Sequence, residues 1–176
     1  MNNLLFVYGT LMNDIQSMIA NHLKANSHLL GEGTAKGSLF DLGRYPGFVH
    51  NPEAPGNVIG HVIQMDDPVE MLKTLDEYEG ITASYPVDSE YRRELIPVFK
   101  GVSTNILRST TQFDTDPTDL ASLKDKLSTP SIKEKIDYCW CYVYAGDTSN
   151  LKLIESGNYL EYVMNNPNHQ GFIDSV

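Results

Sequence analysis

From Ile136 to Ala145 the chain alternates without a break, with Tyr138, Trp140, Tyr142 and Tyr144 on one side and Cys139, Cys141 and Val143 on the other. A period of two over this length marks a β-strand, and aromatic and β-branched side chains suit one. The aromatic stripe is read as core or cavity wall in preference to a stacking platform. The two cysteines sit two positions apart on one strand face, where disulfide geometry is rarely met. Both are therefore expected as reduced thiols, and the protein as cytoplasmic. Neither has a histidine at ligand spacing, so no metal site is expected.

The other segments read in the same way. Leu4 to Tyr8 is a buried strand that ends at Gly9-Thr10. Asp14 to Leu30 carries Ile15, Met18, Ile19, Leu23 and Ala25 at mostly helical spacing, with Gly31 and Gly33 as its break. Lys36 to Leu42 alternates weakly and leads into a turn at Gly43-Arg44-Tyr45-Pro46-Gly47. Asn57 to Met65 is a strand with Val58, Gly60 and Val62 on one side and Ile59, His61 and Ile63 on the other. Tyr91 to Phe99 is another, and Pro97 places its end at an edge or bulge.

Gly101 to Asp119 is rich in Ser, Thr and Asp and reads as a long loop. Asp116-Pro117 then opens a helix with Leu120, Leu123 and Leu127 on one face, and Tyr159 to Met164 is a short closing helix before a surface tail. The order β-α-β-β-α-β, an insertion and a further β predicts an α+β domain with a mixed or barrel-like sheet. A chain of 176 residues suits a single domain over 1–176 with an insertion at 100–135.

Charge narrows the partners. With 13 basic against 23 acidic residues and a formal charge of −10, neither nucleic acid nor an anionic membrane is expected to bind. No run approaches the ~20 apolar residues of a membrane span, and no targeting segment is expected. Oligomeric state is left open.

Met65 to Gly80 is the segment that points to chemistry. Asp67 is a good N-cap, Pro68 suits the first helical position, Glu70 completes an Asp-x-x-Glu capping box and Gly80 supplies the stop. On a helical wheel Val69, Leu72 and Leu75 form an apolar stripe onto which Glu79 falls back, while Glu77 points away. A carboxylate in an apolar setting at a helix C-terminus has its pKa raised, toward the range useful for acid–base work. A second feature is the turn Tyr8-Gly9-Thr10-Leu11 between strand and helix. Its N–H groups are free donors, suited to a carboxylate or a developing oxyanion.

Val7-Tyr8-Gly9-Thr10-Leu11-Met12 resembles the N-terminal signature of the γ-glutamylcyclotransferase-like family, which includes γ-glutamylamine cyclotransferases and AIG2-like proteins. Leu39-Phe40-Asp41-Leu42-Gly43-Arg44-Tyr45-Pro46-Gly47, Val58-Ile59-Gly60-His61-Val62 and Leu75-Asp76-Glu77-Tyr78-Glu79-Gly80 follow in the family's order. Tyr91-Arg92-Arg93, Tyr142-Val143-Tyr144 and Ile154-Glu155-Ser156-Gly157-Asn158-Tyr159 continue it. The segment Lys100 to Lys135 has no counterpart in the compact members, and Met12-Asn13-Asp14 lacks the glycine and asparagine of the amine-specific branch.

The resemblance implies a small mixed β-barrel-like sheet with flanking helices and a cavity at one end. It implies Glu79 as the catalytic acid/base, and Tyr8, Gly9, Thr10 and Leu11 as substrate-binding residues acting largely through the backbone. The implied substrate is a small γ-glutamyl amine or peptide, cyclised to 5-oxoproline and a free amine without metal or cofactor. Plainer readings stand beside it. Glu79 is then a solvated carboxylate at a frayed helix end or the partner of Arg92 or Arg93, Arg44 a solvated turn residue, and the domain a non-catalytic binding module. Hydrolysis of a γ-glutamyl conjugate by the same glutamate is a third.

Overall fold

The computed structural model describes residues 2–12, 18–81, 89–100 and 135–166. In chain order the elements are β1 (Leu4–Val7), α1 (Met18–Ala25), β2 (Ser27–Asp41), β3 (Pro46–His50), β4 (Asn57–Met65) and α2 (Pro68–Tyr78). They continue with β5 (Tyr91–Lys100), β6 (Lys135–Tyr144), β7 (Lys152–Leu153) and α3 (Tyr159–Met164). The expected start of the first helix at Asp14, the loop from Gly101, the helix after Asp116-Pro117 and the tail lie outside the described residues.

Strands β2, β4, β1, β6 and β5 pair in that order, and β5 returns to β2 through Gly33–Lys100 and Thr34–Phe99. The result is a closed barrel of mixed sense, because β1 runs parallel to β6 while the other pairs are antiparallel. Closure removes the open edges that an exposed sheet would present. This is the α+β barrel that the order of segments and the family resemblance predict.

Alternation along the strands sorts the apolar residues into two layers. Phe6, Ala35, Val58, Val62, Ile96, Val98, Cys139, Cys141 and Val143 pack together as the barrel interior. Leu5, Val7, Ile63 and Met65 face outward onto α1 and α2 through Leu23, Met71, Leu72 and Leu75. On β6 it is therefore the small face, with free Cys139 and Cys141, that fills the barrel. Its aromatic face lies outside, where Tyr142 is buried and Tyr138 is exposed. One stripe thus serves two environments.

Several boundaries differ from the sequence reading. Gly31 and Gly33 break nothing. β2 runs through both, with a register shift between Leu29 and Gly31 where φ is +137°. A glycine bulge keeps the ladder intact and bends it. Beyond Gly37 the same strand leaves β4 and pairs instead with β3 and β7. The stretch Gly43 to Gly47 is a turn only as far as Tyr45, since Pro46 and Gly47 already pair with Asp41 and Phe40. His28 to Leu30, expected as helix, belong to β2.

The buried face of α2 is Met71, Leu72 and Leu75, and Val69 is 62% exposed. With so few apolar residues, a wheel leaves the stripe's centre undecided between Val69 and Met71, and packing against the barrel selects Met71. Asp67 caps the helix as expected, accepting from the N–H groups of Val69 (3.0 Å) and Glu70 (3.2 Å). Truncating Leu75→Ala should cost about 2–5 kcal/mol of stability, whereas Val69→Ala should stay within about 0.5 kcal/mol. Urea unfolding of the two variants measures the difference.

Candidate active site

The cavity lies where the end of β1 meets the end of α2. It encloses about 290 Å³, at the small end of ligand pockets (~300–1,000 Å³) and suited to a small metabolite. Its floor is apolar and aromatic, from Phe6, Val7, Tyr91 and Tyr142. The loop Tyr8, Gly9, Thr10 and Leu11 and the acidic residues Glu79 and Glu90 complete its lining. All the expected site residues thus line one cavity.

The loop owes its shape to Gly9. A Cβ there would stand 2.7 Å from Pro46 Cγ, so a side chain would force loop and β3 apart. The N–H of Met12 donates to the Gly9 carbonyl at 2.9 Å and closes the turn. Among the described residues, the N–H groups of Gly9, Thr10 and Leu11 have no acceptor. Donors left unpaired beside a cavity are held ready for a ligand. The Tyr8 hydroxyl is already engaged, donating to the Tyr142 carbonyl at 2.8 Å and accepting from the Phe48 N–H at 3.4 Å. Tyr8 therefore reaches the cavity through its backbone and the edge of a ring packed on Phe48.

Glu79 follows the last residue of α2 as its C-cap, and its N–H donates to the Leu75 carbonyl at 2.9 Å. Gly80, at φ +69°, then turns the chain away. The helical phase thus persists for one more residue, which aims Glu79 at the cavity while Glu77 is exposed. Burial, reinforced by the charge of Glu90, raises the Glu79 pKa from 4.5 to about 7. The arginines that might have neutralised it are engaged elsewhere: Arg92 with Glu94, and Arg93 with Asp76 at 2.8 Å. Arg44 is exposed and does not line the cavity.

A second network fixes the end of α2. The Tyr142 hydroxyl donates to Asp76 Oδ1 at 2.8 Å and also lies 3.3 Å from the Leu72 carbonyl. Arg93 holds the other oxygen of Asp76, and its guanidinium lies 5.2 Å from the Trp140 ring centroid. Burial and the Asp76 contact both raise the Tyr142 pKa, so its phenol stays protonated. Of the aromatic stripe on β6, Tyr142 lines the cavity and Tyr144 does not.

Sequence reasoning missed Glu90, Tyr45 and Tyr91. Tyr45 donates to Glu90 Oε2 at 2.8 Å, which raises the Tyr45 pKa to about 12. Tyr91 donates to the Pro46 carbonyl at 2.9 Å, and burial followed by the nearby Glu79 raises its pKa. No local pattern marks these residues, because only barrel closure brings them to Glu79. Among the described residues, no group of three or more His, Cys, Asp or Glu side chains is placed to hold a metal, and no helix is long and apolar enough to cross a membrane.

A closed mixed barrel with a glutamate at a helix end facing a glycine loop defines a cyclotransferase-type fold. The chain belongs to the γ-glutamyl cyclotransferase, AIG2-like family, whose profile matches residues 5–161. Similar folds include YkqA from Bacillus subtilis, at 24% identity and TM-score 0.58, covering 95% of this chain and 43% of YkqA. This chain therefore spans less than half the length of that relative. A crystal structure of an uncharacterised protein from Pyrococcus horikoshii matches at 17% identity and TM-score 0.53, covering 96% of this chain and 98% of that one. A mouse AIG2-like protein matches at 19% and 0.53, covering 88% and 86%. At these identities the likeness concerns the fold. No curated protein sequence matches.

The raised pKa of Glu79 makes stability depend on pH. Below about 4.5 the carboxyl is neutral in both folded and unfolded states and costs nothing. Between about 4.5 and 7 the unfolded chain gives up its proton while the folded chain keeps it, so stability falls as pH rises through this window. Above about 7 the full cost of the buried charge remains. Glu79→Gln should therefore raise the urea midpoint relative to wild type more at pH 8 than at pH 5. Paired denaturation curves at the two pH values check this.

Proposed function

We propose that this protein cyclises a small γ-glutamyl amine or peptide, releasing 5-oxoproline and the free amine, with Glu79 as acid and base. The observation that carries the reading is the shared cavity. A carboxyl group titrating near 7 shares the cavity with Gly9, Thr10 and Leu11, whose backbone N–H groups have no acceptor among the described residues.

The α-carboxylate or γ-carbonyl oxygen of the substrate accepts from the loop. Glu79, as carboxylate, takes a proton from the α-ammonium. The freed amine attacks its own γ-carbonyl carbon, a C–N bond forms, and charge develops on the carbonyl oxygen beside the loop donors. Glu79 returns the proton to the departing nitrogen as the original amide bond breaks. It then takes the second proton from the ring nitrogen and passes it to the freed amine, which leaves as an ammonium. The glutamate ends as it began.

Ring closure needs little else. A well-oriented intramolecular attack reaches effective molarities of about 10⁵–10⁸ M, so a cavity that fixes one rotamer supplies much of the rate. A pKa near 7 suits a group that must both take and give the proton at neutral pH. Tyr142, Asp76 and Arg93 hold the end of the helix that carries it.

The wild-type protein should release 5-oxoproline from at least one member of a panel of γ-glutamyl amines and dipeptides. Its kcat/KM should rise with pH through about 7, as Glu79 becomes a carboxylate. Glu79→Gln should lower the rate by about 10²–10⁴-fold with an unchanged circular dichroism spectrum. Retained activity in that variant, or free glutamate in place of 5-oxoproline, would overturn the assignment.

A further inference from the structure

Within the γ-glutamyl reading of the cavity, on which this inference rests, we infer that Glu90 selects the leaving amine. The cavity is built for conjugates whose amine portion carries its own positive charge, such as a diamine.

The charges around the cavity lean one way. Glu79 and Glu90 are its charged side chains among the described residues, and no Lys, Arg or His lines it. The stretches 13–17 and 82–88, which flank the loop and the end of α2, contain none of these residue types. The anionic end of a γ-glutamyl group is served by the N–H groups of Gly9, Thr10 and Leu11, which have no acceptor among the described residues. Its α-amine is served by Glu79. Glu90 has neither role.

Position assigns Glu90 to what remains. It is exposed where Glu79 is half-buried, so it stands nearer the mouth, where the departing amine must lie. It is also held in place. The Tyr45 hydroxyl donates to Oε2 at 2.8 Å, the Tyr45 ring leans on Tyr91 with centroids 6.3 Å apart, and the Glu90 carbonyl accepts from the Ala145 N–H at 2.9 Å.

Oε1 is left to accept, and among the described residues no cationic side chain forms an ion pair with Glu90. An oriented carboxylate without a cation attracts an ammonium group at its reach and repels a carboxylate there. A leaving group that is a free amino acid brings such a carboxylate. A neutral alkyl amine leaves Glu90 merely solvated.

The test measures binding, so that it is independent of turnover. Full-length Glu79→Gln protein is titrated calorimetrically with the γ-glutamyl conjugate of 1,4-diaminobutane and with its near-isostere, the conjugate of n-pentylamine. The diamine conjugate should bind at least about fivefold more tightly at low salt, the advantage shrinking as salt screens the pair. In Glu79→Gln/Glu90→Gln the two conjugates should bind equally, with the pentylamine conjugate unchanged. Equal binding in the single variant, or a preference that survives in the double variant, overturns the role of Glu90. Failure of both conjugates to bind overturns it together with the γ-glutamyl reading. A Glu90-dependent preference in a wild-type protein that releases no 5-oxoproline upholds the role and overturns the cyclisation alone.

Discussion

The carboxylate of Asp76 ties the last turn of α2 to the outer wall of the barrel, and the geometry of the cavity depends on that tie. It accepts from Tyr142 on one oxygen and from Arg93 on the other, so β6 and β5 both hold the helix through one side chain. The Asp76 carbonyl also accepts from Ile81 N–H at 2.8 Å, which folds the chain back just after Glu79. Hydrogen bonds to a charged group contribute about 1.5–3 kcal/mol each, and this pair is shielded enough from water to sit within that range. Three positions later stands Glu79. Its placement over the cavity follows from where Asp76 is fastened.

This division of labour explains how two acidic residues on one helical turn come to behave differently. Asp76 has a cation and a phenol, and its charge is compensated. Among the described residues Glu79 has no ion pair and no side-chain hydrogen bond of this kind, and it sits near a second carboxylate and the buried phenols of Tyr8 and Tyr91. Desolvation then raises its pKa without opposition. An arginine turned toward Glu79 would abolish the effect, and the structure commits Arg93 to Asp76 instead. Compensation at one site is what permits its absence at the next.

Local features of this chain were legible because their causes are local. The Asp67 cap, Pro68, the stop at Gly80 and the direction of Glu79 all follow from helix geometry, and the glycine turn follows from one strand end. The families of alternating residues in β4, β5 and β6 were legible for the same reason. What escaped depends on partners far away in sequence. β3 pairs with the second half of β2, and β7 is two residues long; neither carries a periodic signal. Val69 was placed on the wrong side because helical phase in a weakly apolar helix is decided by the surface it meets. Glu90 and Tyr45, 45 residues apart in sequence, become neighbours through barrel closure.

The β5–β6 ladder also separates the cavity from the segment expected as an insertion. Tyr91, opposite Tyr144, stands at the cavity end of the ladder, and Lys100, opposite Lys135, stands at the other. Nine steps of a strand at ~3.3 Å set the two ends about 30 Å apart. Lys100 and Lys135, the described residues on either side of 101–134, therefore stand at the end remote from Glu79. The loop donors, both carboxylates and the Asp76 tie all belong to described residues outside that segment. Sequence added at the far end of a closed barrel leaves the strand register at the near end untouched, because each rung of the ladder is fixed by its own cross-strand pair. The barrel thus lets one end vary while the other holds a carboxylate in a fixed place.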